Sequence, residues 1–122
     1  MTEQPIVIPD VRSMSHFENI INGQGDNNNT DYIVFDFYAT WCPPCRRIGP
    51  RLPELVNAFP NASFYKVDRD HCLDVHMACS VQKIPTFIVY DTLPKEPVGR
   101  LQHSDYDTVH QFLYDTMSNE EF

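Results

Sequence analysis

Positive charge is scarce in this chain. Lys and Arg together number 9 against 17 Asp and Glu, a formal net charge of −8. So acidic a surface repels phosphate backbones and anionic headgroups, which excludes nucleic acid and membrane surfaces as general partners. Long apolar runs are missing too. The densest stretch, residues 33–39, is interrupted by Asp36 and falls far short of the roughly 18 residues a membrane span needs. The first ten residues carry Glu3 and Asp10 and no basic stretch. No secretory signal pattern is therefore read there, and a reducing, cytoplasmic location is expected. Cysteine is also sparse. Four in 122 residues cannot form a dense disulfide scaffold, but they suffice for one redox pair, one metal site or a few buried thiols. What remains is an ordinary globular mixture, 42% hydrophobic and 21% charged, at a length that suits one domain over residues 1–122.

Strand and helix patterns alternate along the chain. Residues 5–8 read as an edge strand. Ser15 and Glu18 stand at capping-box spacing ahead of a helix, with Met14, Phe17, Ile20 and Ile21 at helical spacing. A polar loop follows over 23–31 and contains three consecutive Asn. Residues 32–38 are nearly continuously apolar, as a strand covered on both faces would be. In 42–59, Ile48, Leu52, Leu55, Val56 and Phe59 fall on one helical face. Pro50 and Pro53 lie inside that pattern and predict a kink. Further strands are expected at 63–67, 86–90 and 98–101, with a turn over 91–97. A short helix capped by Asp70 is expected over 70–79. A last helix starts near Ser104, with Val109, Phe112, Leu113 and Met117 on one face. The order βαβαβαββα predicts an α/β domain with a mixed sheet.

Chemistry concentrates at Trp41-Cys42-Pro43-Pro44-Cys45, the junction of the strongest strand with the longest helix. Two cysteines at i and i+3 on a helix start lie close enough to close a disulfide. The helix-terminal amides and dipole favour an anion there, which predicts a depressed pKa for an exposed Cys42. Cys45, one turn further in, is expected to be buried as the resolving thiol. Pro43 and Pro44 suit a first turn, where amide donors are unpaired anyway. Asp36 is the other anomaly. A carboxylate inside a central apolar strand is costly to ionise, so its pKa is expected to be raised.

These residues resemble the active-site segment of the thioredoxin family over 35–45. Pro50 matches that family's helix-kinking proline, Lys66 the lysine beside its buried acid, and Ile84-Pro85-Thr86 its cis-proline loop. The resemblance covers roughly residues 5–117. It implies the thioredoxin fold, a central mixed five-stranded β-sheet flanked by four helices. It also implies a protein disulfide oxidoreductase that reduces substrate disulfides by dithiol–disulfide exchange. Cys42 would be the nucleophile, Cys45 the resolving thiol, Asp36 the proton acceptor and Lys66 the group that tunes it. Trp41, Pro43, Pro44, Ile84 and a cis Pro85 would contact the substrate, with Trp41 covering the disulfide. The implied partners are disulfide-containing proteins and a thioredoxin reductase or equivalent electron donor. A monomer with neither metal nor cofactor is expected.

The chain departs from the family in places. Pro43 stands where the commonest motif has Gly, and the double proline recurs in tryparedoxins and nucleoredoxins. Tyr38 stands where bacterial members often have Trp. Gln102 lies near a position commonly glycine, and Pro53 is a second helix proline. A tryparedoxin- or nucleoredoxin-like oxidoreductase and a non-catalytic binding module are therefore the competing functions. Intact cysteines and Asp36 argue against the second, and the short length against the first.

Cys72, Val75 and Cys79 fit one face of a helix, where small thiols fill a core. A helix would hold Cys72 and Cys79 ~10.5 Å apart, too far for a disulfide without unwinding. A regulatory second pair is the alternative. Cys42, Cys45, His71, Cys72, His76 and Cys79 formally offer zinc ligands, but the spacing matches no standard site. The remaining histidines are expected on the surface. Arg46, Arg47 and Arg51 form a basic cluster behind the motif. It is read either as a solvated face or as a feature that tunes Cys42 or favours acidic partners.

Overall fold

A computed structural model describes residues 5–24 and 30–118. Helix α1 (Met14–Ile21) precedes strand β1 (Tyr32–Tyr38). Helix α2 (Pro43–Ile48) passes through a 3₁₀ turn, Gly49–Arg51, into α3 (Leu52–Ala58), so the two form one broken helix. Then come β2 (Ala62–Asp68), α4 (Leu73–Ala78), β3 (Thr86–Asp91), β4 (Glu96–Gln102) and α5 (Tyr106–Met117). The helix break has the expected cause. Pro50 falls in the first turn of the 3₁₀ segment and Pro53 in the first turn of α3, where a missing amide donor costs least.

The sheet has four strands, in the order β2-β1-β3-β4, not the five expected. β1 runs parallel to β2 and antiparallel to β3, and β3 pairs antiparallel with β4. The missing strand is the one read at 5–8. Among the described residues its ladder contact is a single parallel bridge just beyond it, between Asp10 and Lys66, closed by Lys66 N–H to the Pro9 carbonyl and Val11 N–H to the Lys66 carbonyl. Pro5 and Pro9 have no amide to donate, and they bracket the apolar residues. A ladder therefore cannot run through them.

Alternation along β1 supplies two cores. Ile33, Phe35 and Phe37 face α1 and α4, packing with Phe17, Ile20, Tyr65, Val67 and Val75. Tyr32 and Val34 face the other way, with Ile48, Leu52, Leu55, Phe59, Val109 and Leu113. Asp36 shares the second face by the period of two, and so lies beneath the helix that starts at the cysteine pair. On β4, Gly99 lets α5 approach closely, since a Cβ there would meet Thr116 Cγ2 at 3.0 Å and Phe112 at 3.2 Å.

Three local expectations fail. The cap of α1 is Ser13, whose hydroxyl accepts from His16 N–H at 3.0 Å. Ser15 already lies inside the helix. Helix α4 is capped by the backbone of Cys72 with no side-chain bond, because Asp70 is engaged elsewhere. His16 is buried rather than on the surface, its Nδ1 accepting from Arg12 N–H at 2.9 Å. The three-asparagine run, 27–29, lies outside the described residues.

Candidate active site

Strand β1 ends at Tyr38 and the chain turns through Ala39, Thr40 and Trp41 into α2. Cys42 is the N-cap of α2, with extended φ of −86° and ψ of 113°, and its Sγ accepts from Cys45 N–H at 3.3 Å. Cys42 and Cys45 form a disulfide, with their Cα atoms 5.3 Å apart. Pro43 and Pro44 fill the first turn of α2.

Both cysteines are buried in this oxidised form, Cys42 at 3% exposure and Cys45 at 6%. The expected contrast of exposed and buried sulfur is therefore absent. The reason is the opposing loop. The Ile84–Pro85 peptide is cis, and the Ile84 carbonyl lies 3.7 Å from Cys42 Sγ. Ala39, Tyr38 and the Ile84 side chain close the rest of the small cluster around the pair.

Trp41 is 56% exposed, and its Nε1–H donates to Asp70 Oδ2 at 3.0 Å. Asp70, expected as a helix cap, instead anchors the tryptophan. The backbone holds this corner as well, through Arg69 N–H to the Tyr38 carbonyl at 2.8 Å.

Asp36 lies at 5% exposure, directly opposite Lys66 in the parallel β1–β2 register. Its Oδ1 is buried with no hydrogen-bond partner. Burial pushes its pKa up to about 7, against a smaller lowering by Lys66 and a further rise from Asp10. Lys66 does not close an ion pair with it. Its Nζ sits over the Tyr38 ring, 4.8 Å from the centroid. The Tyr38 hydroxyl donates to Asp10 Oδ1 at 2.9 Å. Asp36, Lys66 and Cys45 line one open cavity of about 450 Å³, together with Tyr38, Arg46 and Pro50. A carboxyl with its pKa pushed up to about 7 thus shares an open cavity with Cys45. That arrangement can accept or return a proton.

The other two cysteines stay apart from this centre, and both are free thiols. Cys72 is fully buried, with its Sγ–H directed at the Val11 carbonyl at 3.4 Å. Cys79 caps the other end of α4. Among the described residues, no group of three His, Cys, Asp or Glu side chains is placed to hold a metal ion. His76 is fully buried within the fold, its Nε2 2.9 Å from the Val67 carbonyl.

Sequence reasoning gave Asp10 no role and Asp70 only a capping one. They reach Tyr38 and Trp41 from 28 and 29 residues away, and neither belongs to a short motif. Among the signals on hand, the bare acidic residues flanking apolar segments were the only pointer.

Comparison with known proteins agrees with this geometry. The Thioredoxin family model matches residues 10–111. The chain is 37% identical over 82 residues to "Thioredoxin-3, mitochondrial" of Saccharomyces cerevisiae, a match covering 67% of this chain and 60% of the relative. It thus spans less than two thirds of that relative's length. It is 40% identical over 79 residues to a thioredoxin of Borreliella burgdorferi, covering 62% of this chain and 68% of the relative. The crystal structure of the oxidised form of mitochondrial thioredoxin 3 from S. cerevisiae superposes with a TM-score of 0.76. That match has 30% identity over 88% of this chain and 94% of that one. With its family segment, cis-proline loop and sheet order all in place, the chain belongs to the thioredoxin family.

Proposed function

We propose that this protein reduces disulfide bonds in other proteins, through Cys42 as nucleophile and Cys45 as resolving thiol. The observation that carries this reading is the cavity that joins Cys45 to the buried carboxyl of Asp36. In the reduced protein the Cys42 thiolate attacks one sulfur of a substrate disulfide. The substrate's other sulfur leaves as a thiolate and takes up a proton. Cys45 then loses its proton to Asp36 and attacks Cys42 Sγ. The second substrate sulfur leaves, and the Cys42–Cys45 disulfide remains, two electrons having passed to the substrate. A carboxyl with pKa about 7 is part ionised at neutral pH and suits that transfer. Lys66 sets its charge balance from across the strand pair.

Trp41, Pro43, Pro44 and the Ile84–Pro85 peptide form the substrate face. A substrate segment extended along Ile84 would pair with its backbone and bring its sulfur to Cys42. A dithiol donor such as a thioredoxin reductase returns the electrons. The protein acts as a monomer in the cytoplasm. The yeast relative's mitochondrial name is the rival location, and cell fractionation decides between them. The double proline favours one second reading, a tryparedoxin- or nucleoredoxin-like reductase, which the measured redox potential separates from the first.

Insulin reduction with dithiothreitol tests the activity. The protein is expected to accelerate precipitation of the insulin B chain, and Cys42→Ser to abolish the acceleration. Equal rates for the two would overturn the reading.

A further inference from the structure

The acidic average of this chain hides a local exception at the reaction centre. Arg46 and Arg47 are both exposed and lie on α2 directly after Cys45. Arg46 N–H bonds to the Cys42 carbonyl at 3.1 Å, one helical turn from the nucleophile, and its residue lines the cavity shared by Asp36 and Cys45. Arg47 lies on the other flank. Its Nη2 donates to Ser104 Oγ at 3.3 Å. Ser104 follows the end of β4, where Gln102 pairs with Thr86 next to Pro85. The two arginines thus follow the disulfide on α2, Arg46 at the cavity beside Cys45 and Arg47 toward the segment after β4. Lys83, exposed as well, directly precedes Ile84, whose carbonyl faces Cys42 Sγ.

In a chain with 17 carboxylate side chains, cations normally find acidic neighbours. Arg51 does, gripping Glu54 through two bonds of 3.0 Å. Among the described residues, Arg46, Arg47 and Lys83 reach no carboxylate within ion-pair distance. Asp105 and Asp107 line a pocket with Arg47 without closing an ion pair to it, and two of the acids nearby are held by other groups. Asp70 holds the Trp41 ring nitrogen. Asp105 accepts from Thr108 N–H and Oγ1–H as the cap of α5, where the helix dipole balances its charge.

We infer that the face around Cys42 selects substrate disulfides flanked by carboxylates. Arg46, Arg47 and Lys83 supply charge complementary to such carboxylates beside the reacting sulfur. This specificity rests on the oxidoreductase reading above. An acidic segment laid along Ile84 would meet Lys83 at one end and Arg46 or Arg47 beside the sulfur. The surrounding net charge of −8 would repel it elsewhere, so productive orientation is favoured over random encounter.

The test uses the reduced full-length protein in single-turnover stopped flow. Three synthetic peptides each carry one internal disulfide in the same loop, flanked by Glu, Gln or Lys. Trp41, the chain's one tryptophan, reports formation of the oxidised protein when the peptides contain none. In low salt the Glu peptide is expected to react about tenfold faster than the Lys peptide, a modest steering effect. The ratio should shrink toward one in 0.5 M salt, where the Debye length falls to a few ångströms. Charge reversal by R46E/R47E should invert the order, whereas R46K/R47K should retain it. Equal rates for all three peptides in low salt, or an order that survives charge reversal, would overturn the selectivity while leaving the reductase reading in place. No reaction with any peptide would overturn both.

Discussion

Two cysteines stand at the N-terminal caps of helices in this molecule, and their surroundings differ. Cys42 caps α2 and Cys72 caps α4, each at the end of a helix of six residues. Around Cys42 the Sγ accepts an amide proton from Cys45, and the neighbouring charges are Arg46 and Arg47. Around Cys72 the sulfur instead donates to a carbonyl, and burial pushes its pKa up, with further rises from Asp74, Asp68 and Asp10. Cys79, at the other end of α4, is also raised by burial, with smaller lowering from the Tyr90 hydroxyl and Arg100. The comparison shows that a helix N-terminus does not by itself make a thiolate. At Cys72 burial outweighs the helix end, and the nearby carboxylates add to it.

The sharpest way to break this contrast is chemical. In the reduced protein at pH 7, iodoacetamide should label Cys42 at least about tenfold faster than Cys72, because the Cys72 sulfur is fully buried and burial pushes its pKa up. Peptide mass mapping over time reads the two rates. Comparable labelling of both cysteines would end the argument from environment.

A second test moves to the acid. A group with its pKa raised from 3.8 to about 7 by burial keeps its proton in the folded state after the unfolded chain has lost it. Below about pH 4 it costs nothing. Between pH 4 and 7 stability falls, and above 7 the loss is complete. At 1.36 kcal/mol per pH unit the full loss is at most ~4 kcal/mol. Asp36→Asn in the oxidised protein should therefore be near neutral at pH 4 and stabilised by a few kcal/mol at pH 8. Urea unfolding at the two pH values measures it, and a pH-independent difference would sink the assignment. The same variant should slow the resolving step, which accumulation of mixed disulfide would reveal.

The smaller effects sharpen the comparison from the other side. Cys72→Ala should cost ~1 kcal/mol of stability, through lost packing and one weak hydrogen bond, and leave insulin reduction unchanged. Asp70→Asn should cost ~0.5–1 kcal/mol and shift the emission of Trp41, because the indole N–H exchanges an ionised acceptor for a neutral one. An unaltered spectrum would show that the Trp41–Asp70 bond does not persist in solution.

Much of this could be read from residues close together in sequence. The Cys42–Cys45 spacing, the apolar run of β1 and the prolines of the broken helix act locally, and the structure follows them. The buried rank of Asp36 was legible for the same reason, as a charge set in an apolar strand. What escaped was set by partners far along the chain. Residues 5–8 look like a strand by composition, but a strand also needs amide donors at the right register, and Pro5 and Pro9 remove them. Ser15 and Asp70 both had plausible capping chemistry. Ser13 stood closer to the true helix start, and Trp41 drew Asp70 away. Burial of Cys42 depends on the Ile84 carbonyl, which only the folded sheet brings across.

The bridge at Asp10 has an electrical consequence. Pinned beside Lys66 and bonded to the Tyr38 hydroxyl, Asp10 also raises the pKa of Asp36. The N-terminal strap is therefore coupled electrostatically to the Asp36 carboxyl. Any event that frees the strap, whether a cut, a modification or a partner that peels it back, would lower the acid's proton affinity and retune the thiol chemistry from a distance.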